Sequence, residues 1–460
     1  MSRAPGAVSS LFGRLRAAAG GHRTILSNAT SMVVALGSTS FLGAAFWWLA
    51  ARQFSQHSVG VSGAAVSAMT LLGFAATIGL GTVLMGELPQ RESRAHGLLN
   101  ASLAVSAAVG GALGVGFALI APFISSGFDP LRQSPLSVLI FAAGVSLTAL
   151  TLVLDQALIG LLRGGLQLTR NIVFSAVKLL LLLGVAALAA TYGGMGIYTA
   201  WALGALLSLL VLVPFYRRQS NPLTSHFRDL HSLRLDAASH HAFNLALRAP
   251  DLLLPVMVLV VLSPNLSASF YIAWMIVSLL FGIPQSLSTV LYAVGSGDPR
   301  ELERRFRFTI GVSAACGVGA MLILLPAGEP LLHLFGADYA GQATVALQIL
   351  ALGVFPEAIR THFVAVRRLT RRIGSALPLV WGGAVLEVAG GTIGGLLADN
   401  LTGVAIGWLA AICIESSLMS RDVWRMVRPG ENFAVGDAAA GSPAPHEGNG
   451  GAETPSPSGF

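Results

Sequence analysis

The sequence predicts an all-helical membrane protein of about twelve transmembrane helices, and three observations carry that prediction. About a dozen runs of roughly 18–25 residues are nearly free of charge, and each is long enough to cross a ~30 Å hydrocarbon core. Only 11% of the 460 residues are charged, against about 25% in an ordinary soluble domain, and the mean hydropathy is +0.72. The arginines, finally, collect in alternate gaps between the apolar runs. Arg91 and Arg94 share one gap, Arg163 and Arg170 another, and Arg217, Arg218, Arg228 and Arg234 a third. Arg300, Arg304, Arg305 and Arg307 fill a fourth, and Arg360, Arg367, Arg368, Arg371 and Arg372 a fifth, while the intervening gaps hold only Arg52 and Arg132. By the positive-inside rule the basic gaps and both termini are cytoplasmic, which places a bacterial chain of this kind in the inner membrane as a multi-pass protein.

Taken in order, the chain reads as a cytoplasmic N-terminal segment (1–26) and a first lobe of six helices (27–216). A cytoplasmic inter-lobe loop (217–242) and a second lobe of six helices (243–429) follow, then a tail (430–460). The first-lobe spans are 27–50, 58–83, 98–125, 137–160, 171–190 and 195–216. Those of the second are 243–262, 267–293, 308–326, 343–364, 375–397 and 402–420. Short connections such as 191–195 and 263–267 force neighbouring helices to be antiparallel. Trp47 and Trp48 sit where an interfacial aromatic belt belongs. The tail is Gly, Pro, Ala and Ser with acids and no base, so it cannot bury a core and is expected to be disordered. Residues 1–23 are basic and polar, unlike a cleavable signal.

Two short matches recur at one offset. Thr82-Val83-Leu84 and Thr289-Val290-Leu291 both end a span before a basic gap, and Gly196 with Trp201 and Gly403 with Trp408 both open one. Parallel repeats related by an axis along the membrane normal are a known transporter plan, with substrate held between the halves. Pro250, Pro255, Pro284, Pro356 and Pro378 fall in the second half, which is therefore the half expected to bend.

Composition excludes several functions. The net charge of +7 is explained by the basic gaps facing anionic lipid, and no nucleic-acid-reading motif is present. Cys316 and Cys413 lie inside apolar runs, where small packing residues are expected rather than a disulfide or metal pair. There is no phosphate-binding glycine loop with a following lysine and no Cys/His ligand spacing. Nor is there a nucleophile with an evident base, so neither enzymatic activity, a cofactor nor a metal is expected. His240-His241 reads as a loop element.

What remains is charge inside the membrane, which costs at least ~2.5 kcal/mol per residue and so faces a cavity or a partner. Lys178 is the only lysine, and Asp155 lies at similar depth on the neighbouring span. The two are expected to pair, either to fix helix register or to bind an anionic head group or a coupling ion. Arg248 and Asp251 are neighbours on one face of the seventh span, near Asn244, Pro250 and Pro255. Glu357 and Arg360 repeat the device after Pro356. Both pairs could instead snorkel to the interface. Glu387 stands mid-span with no other charge on its helix and glycines on either side, which suits a cavity-facing carboxyl. Glu415 lies closer to a helix end.

Three stretches carry a resemblance. GAAFWWLAARQFSQHSVGVSGAAVS (43–67) resembles the opening helix of polysaccharide flippases. ASFYIAWMIVSLLFGIPQSLSTVLYAVGS (268–296) resembles their eighth helix, with its Ile-Pro and Ser-Leu-Ser. LLHLFGADYAGQATVALQILALGVFPEAIRTHFVAVRRLTRR (331–372) is similar to their Phe-Gly-x-x-Tyr-Ala loop and tenth helix. The resemblance is to the polysaccharide branch of the multidrug/oligosaccharidyl-lipid/polysaccharide (MOP) exporter superfamily, up to about Met419. It implies two six-helix lobes around a cavity that opens alternately to each side, and outward transfer of a polyprenyl-diphosphate-linked oligosaccharide. The lipid II flippases have two additional helices, so that substrate does not fit here. On this reading Lys178 and Arg248 hold the diphosphate. Asp155, Asp251 and Glu387 couple transport to H⁺ or Na⁺ or balance those bases, and Glu357 and Arg360 complete the site. A cation-coupled drug or metabolite antiporter of the same fold, and a non-transporting scaffold for envelope synthesis, are the competing expectations.

Overall fold

The computed structural model describes residues 40–90, 95–187, 189–214, 234–293, 299–370 and 372–427. The N-terminal segment, the start of the first span, most of the inter-lobe loop and the tail lie outside the described residues. Everything described is helix, 3-10 turn or short connection, with no strand. Helix α1 covers 40–53, α2 Gln56–Ala76, α3 Leu80–Glu87, α4 Ala95–Ile124, α5 Pro135–Gly160, α6 Gly164–Ala186 and α7 Ala189–Ser208. The second half contains α8 Arg234–Val261, α9 Pro264–Ala293, α10 Pro299–His333, α11 Ala337–Ala351, α12 Val354–Leu369, α13 Ile373–Ala398 and α14 Leu401–Val427. Ten of the described helices are long and apolar enough to cross a membrane, and α11 with α12 form an eleventh span. The twelfth expected span is α1, described only over its last 14 residues.

Local sequence explains the helix ends. Ser55 and Ser134 cap α2 and α5 by accepting from the backbone N–H groups of Ser58 and Ser137, and Pro135 occupies the first turn of α5, where no hydrogen bond is lost. Asp399 closes α13 in the left-handed conformation, its N–H donating to the Gly395 carbonyl.

Three elements differ from the sequence reading. The second span is not continuous: Ile78 and Gly79 adopt φ of 48° and 75°, which breaks it into α2 and α3. A β-branched residue in that conformation is costly, and the Ile78 side chain is exposed at the break. The tenth span is also broken, at Leu352–Gly353, where α11 and α12 meet at a 45° bend. Proline makes neither break: Pro356 lies in the first turn of α12, where its missing N–H is harmless. The bend expected in the second half is present, and the first half has one too. Thirdly, the basic gap at 299–307 is not a loop but the first turns of α10. Glu301 binds Arg304 and Arg305, and Glu303 binds Arg307, across three and four residues of helix.

The helices of each half pack chiefly among themselves, while α2 crosses to lie against α8 and α9 of the second half. At one end of this seam the backbones touch. A Cβ added at Gly60 of α2 would lie 1.8 Å from the carbonyl oxygen of Pro264, at the start of α9. At the other end, where the arginine-rich connections gather, the halves part.

Candidate functional site

The parting halves enclose a cavity of about 460 Å³ at the basic end of the molecule. On the first-half side it is lined by α2, α3 and α5 through Phe74, Thr77, Thr82, Met85 and Gln156. The break at Thr77–Gly79 is part of this wall, so the strained backbone lies at the cavity. Facing it are Asn244, Arg248 and Asp251 of α8, Gln285, Ser288 and Thr289 of α9, and Glu357, Arg360 and Arg368 of α12. Hydroxyls, amides and charges therefore share the lining evenly with apolar side chains from both halves, whereas pockets for drug-sized ligands are predominantly apolar. His240 and His241, read from the sequence as loop, lie about two turns into α8 and line the cavity; the His241 ring stacks on Phe74 at 5.6 Å between centroids.

Behind the cavity wall, the second half buries a cluster of charge. Arg360 is 6% exposed. Its guanidinium lies 2.6 Å from Glu357, 2.6 Å from Glu387 on α13 and 4.0 Å from Glu415 on α14. One cation thus serves three carboxyl groups. The second oxygen of Glu387 accepts the indole N–H of Trp408 at 2.7 Å. Glu415 Oε2 has no hydrogen-bond partner, and its carboxyl rests directly on Gly383, where an added Cβ would lie 2.1 Å from Glu415 Cδ. Because Glu357 and Arg360 also line the cavity, the cluster is continuous with it.

The far end is closed by contacts between the halves. Trp48 Nε1 and Arg52 Nε both donate to the carbonyl of Leu334, each at 2.9 Å. Gln56 Nε2 donates to Ser269 Oγ at 2.8 Å and to Gln342 Oε1 at 3.0 Å, and Trp47 packs on Tyr271. The tryptophans read as an interfacial belt are thus divided: Trp47 is buried and Trp48 reaches across the seal.

Of the residues the sequence singled out, the structure brings Arg248, Asp251, Glu357 and Arg360 to the cavity lining and Glu387 to the cluster behind it. Arg248 and Asp251 face each other at 3.8 Å, with half of the Arg248 side chain exposed. The Lys178–Asp155 pair is not formed. Asp155 is held by Arg170, whose guanidinium makes bonds of 2.7–3.0 Å to both carboxylate oxygens, with further bonds to Asn171 and Ser208. The tight turn at Leu161–Arg163 explains this, since Asp155 and Arg170 are nearly equidistant from it on the α5–α6 hairpin. Lys178 lies two turns further along and packs its ammonium over Trp201, Phe174 and Phe46, at 3.7, 4.6 and 5.3 Å from the ring centroids. Neither Lys178 nor Asp155 lines the cavity. Cys413 is exposed on α14 rather than packed, and both cysteines are free.

Sequence reasoning missed Trp408, Glu415 as a member of the cluster, and the uncharged polar lining. Signals existed for each. Trp408 recurs 207 residues after Trp201, Glu415 is an acid within an apolar run, and Thr77, Gln156 and Gln285 interrupt apolar runs.

Residues 254–374, from the middle of α8 to the start of α13, match the MatE family model. The chain is similar in structure to an inward-facing multidrug-resistance MATE family transporter of the MOP superfamily. The TM-score is 0.64 at 16% identity, over 85% of this chain and 95% of that one. The outward-facing form of a multidrug-resistance MATE transporter gives a TM-score of 0.59 at 16% identity, over 87% and 95%. A MOP superfamily transporter from Pyrococcus furiosus, described as having a binding pocket of reverse polarity that suggests a different function, gives 0.58 at 15% identity, over 88% and 96%. No curated protein matches the chain in sequence. These likenesses establish the MATE/MOP transporter fold.

Proposed function

We propose that this chain is a cation-coupled exporter working by alternating access, whose cavity takes a polar substrate bearing an anionic group: a lipid-linked saccharide joined through a diphosphate. The observation that carries the reading is the cavity lining, where amides, hydroxyls and the half-exposed guanidinium of Arg248 share the wall about equally with apolar side chains. Saccharides are bound by such groups, and a guanidinium forks onto phosphate oxygens. Lys178, packed on aromatic rings away from the lining, has no part in this site. The expected phosphate clamp therefore reduces to Arg248, with Arg368 at the rim.

Coupling is assigned to the buried cluster. Ionised together, Glu357, Glu387 and Glu415 outnumber Arg360 by two charges in a site shielded from water. An uncompensated buried charge costs several kcal/mol. Protons or Na⁺ entering from the cavity would offset it, two for full balance, and their release to the other side would drive the return. The cytoplasm lies at the basic end on this reading. A reporter fused after Arg228 is expected to signal cytoplasm and one fused after Asp338 the outside; the reverse result would invert the direction of transport.

A drug antiporter is the second reading, favoured by Asp251 and Glu357 in the lining, which suit a cationic substrate. Calorimetric binding to the purified protein separates the two. Undecaprenyl diphosphate is expected to bind, and Arg248→Ala to weaken it about tenfold, a modest ~1.4 kcal/mol because the side chain is half solvated. Lys178→Ala should leave the affinity unchanged. Binding of tetraphenylphosphonium, with none of undecaprenyl diphosphate, would sink the saccharide reading.

A further inference from the structure

We infer that Trp408 is a positioning residue that ties the ionic state of Glu387 to the bend between α11 and α12, so that cation arrival at the cluster is converted into movement of the α12 arm. The inference rests on the assignment of coupling to that cluster and adds the part that transmits it.

The connections form a closed circuit. Trp408 is 1% exposed and touches both ends of it. Its indole N–H donates to Glu387 Oε2 at 2.7 Å. The opposite edge of its ring presses on Gly353, where an added Cβ would lie 2.3 Å from Cη2 and 2.6 Å from Cζ3. Gly353 is the hinge residue of the 45° bend. Glu387 Oε1, in turn, receives Arg360 Nη1 at 2.6 Å, and Arg360 is carried by α12, the arm beyond the hinge. One carboxylate therefore holds the arm through Arg360 and the hinge through Trp408. Trp274 and Phe281 of α9 flank the indole, with centroids at 5.0 and 5.8 Å. Since α9 packs on α2 of the first half, displacement of the ring reaches the seam between the halves.

The groups facing Glu387 are few. Arg360 and Glu357 come from α12, Glu415 and Trp408 from α14, and Asp251 from α8, while α13 contributes no other charge. When Glu387 is ionised, both of its oxygens accept charge-assisted bonds and the bend is held. When a cation neutralises it, the bonds to Arg360 and to the indole weaken together, since each draws its strength from the carboxylate charge. The hinge and the arm are then released in one event.

The test reads the bend directly and needs no substrate. Spin labels are placed in the full-length protein at Val345→Cys on α11 and Arg372→Cys just after α12, in a Cys316→Ser, Cys413→Ser background in lipid nanodiscs. Between about pH 5 and about pH 9, the inter-label distance is expected to shift by ~2 Å, which a ~20° change in bend produces between labels about 12 Å and about 24 Å from the hinge along its two arms. Trp408→Phe keeps an aromatic ring and removes the N–H donor; its distance should no longer respond to pH. Glu387→Gln should be equally unresponsive, and the double variant no different from either single one, as expected of residues acting in one circuit. If Trp408→Phe does not fold, Gly353→Ala displaces the indole from the other side and should give the same unresponsive distance. A normal pH response in Trp408→Phe or Gly353→Ala alongside an unresponsive Glu387→Gln would overturn the role of Trp408 and leave the coupling site standing. A normal response in Glu387→Gln would overturn the coupling site itself.

Discussion

Arg360→Ala is expected to cost about 3–5 kcal/mol of stability and to abolish transport, because it leaves three buried carboxyl groups without their only guanidinium. The loss is larger than for any single carboxyl in the cluster. Glu387→Gln removes one negative charge and keeps an oxygen for Trp408, whereas Arg360→Ala orphans several groups at once. Arg360→Lys should recover little, since a single ammonium cannot reach Glu357 and Glu387 in the two directions that the guanidinium spans. The diagnostic comparison is compensation. In a Glu357→Gln, Glu387→Gln background most of the charge imbalance is gone, and Arg360→Ala should then cost about 1–2 kcal/mol, mainly lost packing and hydrogen bonds. Thermal unfolding in detergent, with membrane abundance measured in parallel, decides it. An Arg360→Ala protein as stable as the parent would mean that the cluster is solvated rather than buried.

The second large effect is expected at Gly60. A valine there places two methyl groups where the carbonyl of Pro264 now lies, and neither partner can yield because both are backbone. The halves must separate at the end where they meet, breaking the bonds from Trp48, Arg52 and Gln56. On the proposed alternating-access reading, a protein held open at that end cannot complete the cycle. Gly60→Val should therefore insert normally and lose transport. Ser269 is fully buried in the seal, so Ser269→Cys reports its opening. Its alkylation by a maleimide is expected to rise at least about tenfold in the Gly60→Val background, a shift of ~1.4 kcal/mol in the open population. Unchanged alkylation would show that the seal tolerates the side chain and that the contact at Gly60 does not gate access.

The helical plan was legible because lipid makes it so: a chain that must satisfy its backbone in hydrocarbon writes its helices as long uncharged runs. The breaks within runs were not legible. Neither Ile78 nor Gly353 stands out in a long apolar run of a sequence with 53 glycines, and at Gly353 the close neighbour is Trp408, distant in the chain. The site divides in the same way. Glu387 announced itself as a lone charge among glycines, and Glu357 and Arg360 as a pair one turn apart. That all three belong together depends on α12 and α13 meeting, which local spacing does not encode. Lys178 and Asp155 show the reverse error. Matching them by depth assumed that α6 begins at 171, whereas it begins at Gly164, and the earlier start moves Arg170 opposite Asp155.

Trp201 and Trp408 stand 207 residues apart in the sequence, yet one covers an ammonium and the other binds a carboxylate. The first half therefore holds a positive pole, and the second a surplus of negative groups around Arg360, with the cavity between the two halves. The field between such poles crosses the cavity from one half to the other. It can thus turn a charged head group toward the second or the first half according to its sign.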